Sequence, residues 1–136
     1  MTSVLEEKDA IREMFASYCF YTDTGQFEKS ANQFTEDGEW DGGPIGHERG
    51  RANILGFFKR GVETSTRLRH SVSNISITVD GNQASAISYV QVLGIDQPTP
   101  SVLFSGIYLD KLVKHNGRWL FRQRKVRTNF ADAGEL

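Results

Sequence analysis

The 136-residue chain contains a single cysteine, Cys19, so no disulfide can form within it. Cys19 lies in a helical, apolar setting and reads as a buried small hydrophobe rather than a nucleophile. An excess of charge of either sign is also missing. The 16 Lys and Arg against 17 Asp and Glu leave a formal net charge of −1, which excludes the overall basic field of a nucleic-acid binder. No apolar run is long enough to span a bilayer and the first residues show no leader pattern, so no membrane partner is expected and the expected location is the cytoplasm. His47, His70 and His115 show no tight ligand spacing with one another or with Cys19, so no metal is expected. No nucleotide motif is visible either, and no cofactor is expected. Repeats, low-complexity segments and linkers are lacking. Residues 1–136 therefore read as one domain, with a tail over 131–136 that has little to bury and is expected to fray.

What is present is aromatic: nine Phe, four Tyr and two Trp in so short a chain fit a core that also walls a cavity, or a plain core. The basic run Arg118, Arg122, Arg124, Lys125, Arg127 reads as a solvated strand face in which one member could be functional.

The first half has helical spacing. Ser3 and Glu6 can form a capping box. Ile11, Met14, Phe15, Tyr18, Cys19 and Tyr21 then form a wide apolar stripe, with Gly25 as the stop and Asp23 in the closing turn. A second, short helix is expected to carry Phe27, Ala31 and Phe34 on one face and to end at Thr35-Glu36-Asp37-Gly38. Glu39-Trp40-Asp41 reads as a short strand, Gly46 and Gly50 bracket a turn, and Ile54, Phe57 and Phe58 mark a third helix. The period then changes to two. Ile75, Ile77 and Val79 mark a strand, Asp80-Gly81 a tight hairpin, residues 84–95 the return strand, 102–114 a third strand, Asn116-Gly117 a second hairpin turn, and 119–126 a fourth strand. Helices followed by an antiparallel meander give an α+β architecture. A strongly curved antiparallel sheet would wrap the N-terminal helices and leave a hydrophobic pocket at its open end. One conflict stands in the pattern. His70 and Asn74 have even parity and Ile75, Ile77 and Val79 odd, so His70 faces the core only if a bulge switches the faces or if both faces are covered.

The order of these elements, with Asp23 after the first helix, Asp37-Gly38 before Trp40, Arg69-His70 with Asn74, Tyr108 and Asp110, and the hairpin Asn116-Gly117-Arg118-Trp119-Leu120-Phe121, resembles the SnoaL-like branch of the nuclear transport factor two-like cone fold. Within it the chain is similar to the scytalone dehydratases and the hexachlorocyclohexane dehydrochlorinases. The resemblance implies a proton-abstracting His at His70, supported by an Asp at Asp23, with the two side chains within roughly 2.6–3.2 Å or bridged by one water. The dehydrochlorinase pattern also places a Trp and an Arg near the leaving group, at Trp40 and at Arg124, just before Thr128-Asn129-Phe130. It has a Lys where this chain has Tyr18. The second His of scytalone dehydratase has no counterpart, since no His lies between His70 and His115, and its Tyr beside the Asp is Thr22 here.

The candidate catalytic residues are therefore Asp23 and His70. The candidate substrate-binding residues are Tyr18, Trp40, Asn74, Tyr89 and Arg124. Tyr18 and Tyr89 are pocket-wall hydrogen bonders or core; Asn74 bonds His70 or satisfies a bulge; Tyr108 and Asp110 read as structural, the latter paired with an arginine. The implied function is a cofactor-independent lyase, a dehydratase or related elimination, on a small hydrophobic, cyclic or aromatic substrate. Isomerisation and aldol-type cyclisation start from the same proton abstraction, and a non-catalytic small-molecule binder is the contrasting class. A homo-oligomer is expected because the outer sheet face keeps apolar residues; the preference for a trimer over a dimer comes from the resemblance.

Overall fold

The computed structural model describes residues 2–62, 67–96 and 98–130. Helix α1 spans Val4–Asp23, and its start is the expected capping box: Glu6 N–H donates to the Ser3 hydroxyl at 3.1 Å and Ser3 N–H to the Glu6 carboxylate at 3.2 Å. The stripe Ile11, Phe15, Tyr18 and Cys19 is buried. Helix α2 is only Phe27–Ala31. Phe34 does not extend it. Residues 34–41 form strand β1, so the Thr35–Gly38 segment read as a helix stop is strand. The reason is tertiary: Phe34 is pinned against Phe121 of the last strand, with ring centroids 5.1 Å apart, and the Phe121 N–H donates to Gln33 O. A 3₁₀ turn, Gly43–Ile45, leads to β2, His47–Arg49, which occupies the segment expected to be a bare turn. Helix α3, Arg51–Val62, follows.

Strands β3 (Leu68–Asp80), β4 (Gln83–Gly94), β5 (Ser101–His115) and β6 (Arg118–Arg127) form the expected antiparallel meander. The first hairpin turn is Gly81-Asn82, one residue later than expected, because Asp80 pairs with Gln83. The second is Asn116-Gly117, with φ of 52° and 77°, the left-handed pair that a tight hairpin demands. The full sheet has six strands in the order β2-β1-β6-β5-β4-β3, and it is curved and unclosed. One pair, β1 with β6, is parallel, so the sheet is not wholly antiparallel. The helices line the concave face, where Phe15, Tyr18, Phe34, Ile54 and Phe121 form the core. Glu7 ties α1 to the β5–β6 hairpin, accepting from Lys114 Nζ and Trp119 Nε1 at 2.6 Å each. The lysine contact, together with the Thr2 hydroxyl, holds the Glu7 carboxyl below its ordinary pKa.

The parity conflict on β3 is resolved by a bulge. The β3–β4 register shifts between Ser73 and Ser76, and Asn74 sits at φ 54°. Val72 opposes Val90 on one side of the bulge and Ile77 opposes Ala86 on the other, so His70, Val72, Ile77 and Val79 share the concave face. No helix among the described residues is long and apolar enough to cross a membrane. The expected tail, 131–136, lies outside the described residues.

Candidate active site

The open end of the cone encloses a cavity of about 460 Å³. Its walls come from every layer: Tyr18 and Asp23 from α1, Trp40 from β1, Phe57 and Phe58 from α3, His70 from β3, Phe104 and Tyr108 from β5. This apolar lining with few polar groups is the usual character of a small-molecule pocket.

Asp23 and His70 meet at its wall. Asp23 is the last residue of α1, where Thr24 caps the helix through a bond to Phe20 O and Gly25 turns the chain away at φ 76°. The Asp23 carboxylate takes two hydrogen bonds from one residue. Oδ2 accepts the His70 backbone N–H at 2.8 Å and Oδ1 accepts from His70 Nδ1 at 2.6 Å. A carboxylate can only accept, so Nδ1 carries a proton, and whenever the ring is neutral the lone pair is on Nε2. Both side chains are mostly shielded, with 14% and 15% of their surface exposed.

Tyr18 and Trp40 also line the cavity. Burial pushes the Tyr18 phenol up to about 12, against the opposing charge of Arg124, so it is a neutral donor at physiological pH. Trp40 packs on Phe57 with ring centroids 4.9 Å apart. The other candidates fall elsewhere. Asn74 is the bulge residue and is exposed, away from the cavity; its short side chain tolerates the left-handed backbone there. Tyr89 points to the convex face, because the β4 residues Ala84, Ala86, Ser88 and Val90 alternate inward, and it packs on Phe130 with centroids 6.2 Å apart.

Arg124 is not on a solvated face. It is fully buried beneath the cavity floor, donating to Asp110 through Nε at 2.8 Å and Nη2 at 3.0 Å. Burial works against its charge, and the Asp110 carboxylate beside it more than offsets that, so the guanidinium stays protonated. Cys19 is buried, which raises its thiol to about 11 and removes any thiolate character at neutral pH.

Phe57, Phe58, Phe104 and Tyr108 were not singled out from the sequence as site residues. The signal for Phe104 and Tyr108 was their shared inward parity on one strand; that for Phe57 was its place beside Phe58 on an otherwise thin helix. Strand pairing also collects a set of potential metal ligands that linear spacing conceals: Glu39, Asp41 and His47 hold ligand atoms within 4.8 Å of one another across β1–β2. These groups already serve one another. His47, Gln123 and Arg49 contact Glu39, and Arg127 donates to Asp41 at 2.9 Å. Burial raises Glu39, but the bonds from Gln123 and His47 outweigh it, and both carboxyls sit below their ordinary values.

The sequence model of the SnoaL-like domain matches residues 3–125. No curated protein matches the sequence. Among solved structures, a Mycobacterium tuberculosis protein of unknown function is similar at 27% identity, with 93% of this chain and 76% of that chain covered and a TM-score of 0.85. A Novosphingobium aromaticivorans protein titled "Putative Scytalone Dehydratase" is similar at 30% identity, covering 92% and 85%, with a TM-score of 0.81. A second protein from that organism, NTF2-like with a cystatin-like fold, shares the fold at 22% identity, covering 90% and 82%, with a TM-score of 0.81.

Proposed function

The chain belongs to the SnoaL-like domain family, and from that premise we propose that it is a cofactor-independent lyase acting on a small hydrophobic, cyclic or aromatic molecule. The observation that carries the reading is the bidentate seat of His70 on Asp23 at the wall of an apolar cavity. His70 Nε2 takes a proton from carbon, and Asp23 stabilises the imidazolium that forms. Tyr18 and Trp40 offer hydrogen bonds to the oxygen that gains negative charge. A leaving group, water in the dehydratase case, then departs from the neighbouring carbon, carrying the proton that His70 returns. General-base help of this kind is worth about two to four powers of ten in rate; positioning and fixed donors in a shielded pocket supply the rest. Isomerisation or aldol-type ring closure would use the same first step. A module that only binds ligands has no need of a base held in one tautomer, and this favours the enzyme.

A homo-oligomer belongs to the same proposal, a trimer before a dimer. Tyr89, Val102 and Leu103 are large apolar side chains left exposed, a surface that a second copy of the chain would cover. Light scattering at micromolar concentration is expected to give a multiple of the chain mass; a monomer mass refutes this part. The cytoplasm is the compartment we assign.

The catalytic reading is tested by screening cyclic ketones and hydroxyketones by thermal shift and assaying the hits for elimination. His70→Ala is expected to bind the hits and to lose turnover. Turnover retained near the wild-type rate would remove His70 from the mechanism.

A further inference from the structure

Two rings of the cavity wall, Trp40 and Phe57, are seated on glycines. Trp40 is the last buried residue of β1, and the chain then turns through Gly42 and Gly46 into β2. A Cβ carbon at Gly42 would stand 2.6 Å from Cη2 and 2.7 Å from Cζ3 of Trp40. One at Gly46 would stand 2.7 Å from Cε2 and 2.9 Å from Cζ of Phe57. Carbon atoms that are not bonded rest about 3.5–4.0 Å apart, so neither position can carry a side chain while the rings stay where they are. The two rings also pack on each other, with centroids 4.9 Å apart, and both line the cavity.

The backbone under the rings is held on several sides. The Gly42 N–H donates to Gly46 O at 2.8 Å, which ties one glycine to the other. Arg127 donates to Asp41 O at 2.8 Å and to Asp41 Oδ2 at 2.9 Å, and the Gly43 N–H donates to Asp41 Oδ1 at 3.0 Å. A methyl group added to the turn is therefore answered by the ring above it. Trp40 is 8% exposed and has Phe57 and Phe58 packed against it, so the open space it borders is the cavity. We propose that Gly42 and Gly46 are positioning residues that set the width of the site: they let Trp40 and Phe57 lie back on a bare turn, and the room this leaves selects fused-ring ligands over single-ring ones. The cavity of about 460 Å³ lies in the range that encloses drug-sized ligands. A fused ring system also offers the flat face that stacks on aromatic side chains. The inference rests on the cavity being the substrate site of the proposed lyase, and it narrows the substrate from cyclic to fused-ring. It does not depend on whether His70 acts as a base.

The test compares acetophenone with β-naphthyl methyl ketone, one ring against two with the same carbonyl, by equilibrium dialysis against the full chain. Because the oxygen is common to both, its hydrogen bonds cancel in the ratio of the two affinities. The native chain is expected to bind the naphthyl ketone roughly ten-fold more tightly, from the extra apolar surface that its second ring buries. Gly42→Ala, folded by circular dichroism, is expected to bring that ratio to about one or below, with the loss falling on the two-ring probe. Adding Trp40→Phe to Gly42→Ala is expected to restore the ratio, because the phenylalanine ring stops short of the atoms that the methyl meets. General damage to the fold would not be rescued in this way. Should Gly42→Ala fail to fold, Gly46→Ala is expected to drive Phe57 into the cavity and to lower the same ratio. A ratio unchanged in the folded variant, equal weakening of both probes, a ratio that Trp40→Phe does not restore, or no binding of either probe to the native chain would overturn the inference. Because the readout is binding, a chain that shows the preference and its loss in Gly42→Ala but no turnover would refute the base assignment and leave this one standing.

Discussion

Replacing Asp23 by Asn changes few atoms and is expected to change which nitrogen of His70 carries the proton. In the native site one carboxylate oxygen accepts the His70 backbone N–H at 2.8 Å and the other accepts from Nδ1 at 2.6 Å. The backbone N–H can only donate, so the carboxamide must turn its oxygen toward it. The amide NH₂ then faces Nδ1, which can receive it only as a bare lone pair. The ring proton moves to Nε2, and the nitrogen proposed to take a proton from carbon becomes a donor. Two charge-assisted bonds become two neutral ones, a stability loss of about 1–3 kcal/mol. The catalytic loss is larger, a factor of about a hundred to ten thousand, because the base sits in the wrong tautomer as well as losing its counter-charge. Nitrogen-15 NMR of the histidine rings reads the tautomer directly and needs no substrate. A variant that keeps the proton on Nδ1 and turns over at the native rate would refute this reasoning.

Other expected outcomes follow from single contacts. Phe121→Ala removes a fully buried ring that stacks on Phe15 and packs edge-on or tilted against Tyr18 and Phe34, and should cost about 3–5 kcal/mol by urea unfolding; a loss below about 1 kcal/mol would mean the core closes over the gap. Asn74→Ala should cost about 1–2 kcal/mol at φ 54°, while Asn74→Gly should be near neutral and neither should alter ligand affinity; an affinity change would return Asn74 to the site. Glu7 and Asp41 are held below their ordinary pKa values, Glu7 by Lys114 and Asp41 by Arg127. Because the folded values lie below the unfolded ones, their stabilisation is complete above the ordinary carboxylate range and is lost as pH falls through the lowered values. Glu7→Gln should therefore flatten the acid limb of stability against pH, and an unchanged limb would count against the Lys114 contact.

Much of this fold could be read from periodicity. The capping box, the α1 stripe and the Asn116-Gly117 turn are local signals, and the local chemistry decided them. The failures are tertiary. Residues 34–38 carry no strong strand signal, and they become strand because Phe34 is locked to Phe121 and Gln33 to the Phe121 backbone. The short β2 exists because Asp41 and His47 pair across the Gly43–Ile45 turn. For the site, Asp23 and His70 could be named because each stands at an element boundary within a familiar order. Arg124 could not be placed, since a run of five basic residues on one strand looks solvated, and only the partner strand reveals Asp110 waiting in the core. The bulge that turns His70 inward uses Asn74 as its own residue, one extra on β3, while Tyr89 faces outward by the plain alternation of β4, on which Ala84, Ala86, Ser88 and Val90 take the inward positions.

The central claim is that His70 takes a proton from carbon, and hydrogen–deuterium exchange at the carbon beside the carbonyl of α-tetralone tests it without knowledge of the natural substrate. Followed by proton NMR in D₂O, the native chain is expected to accelerate the exchange well above the buffer rate, and His70→Ala, folded by circular dichroism, to return it to that rate. Equal acceleration by the two chains would contradict the account.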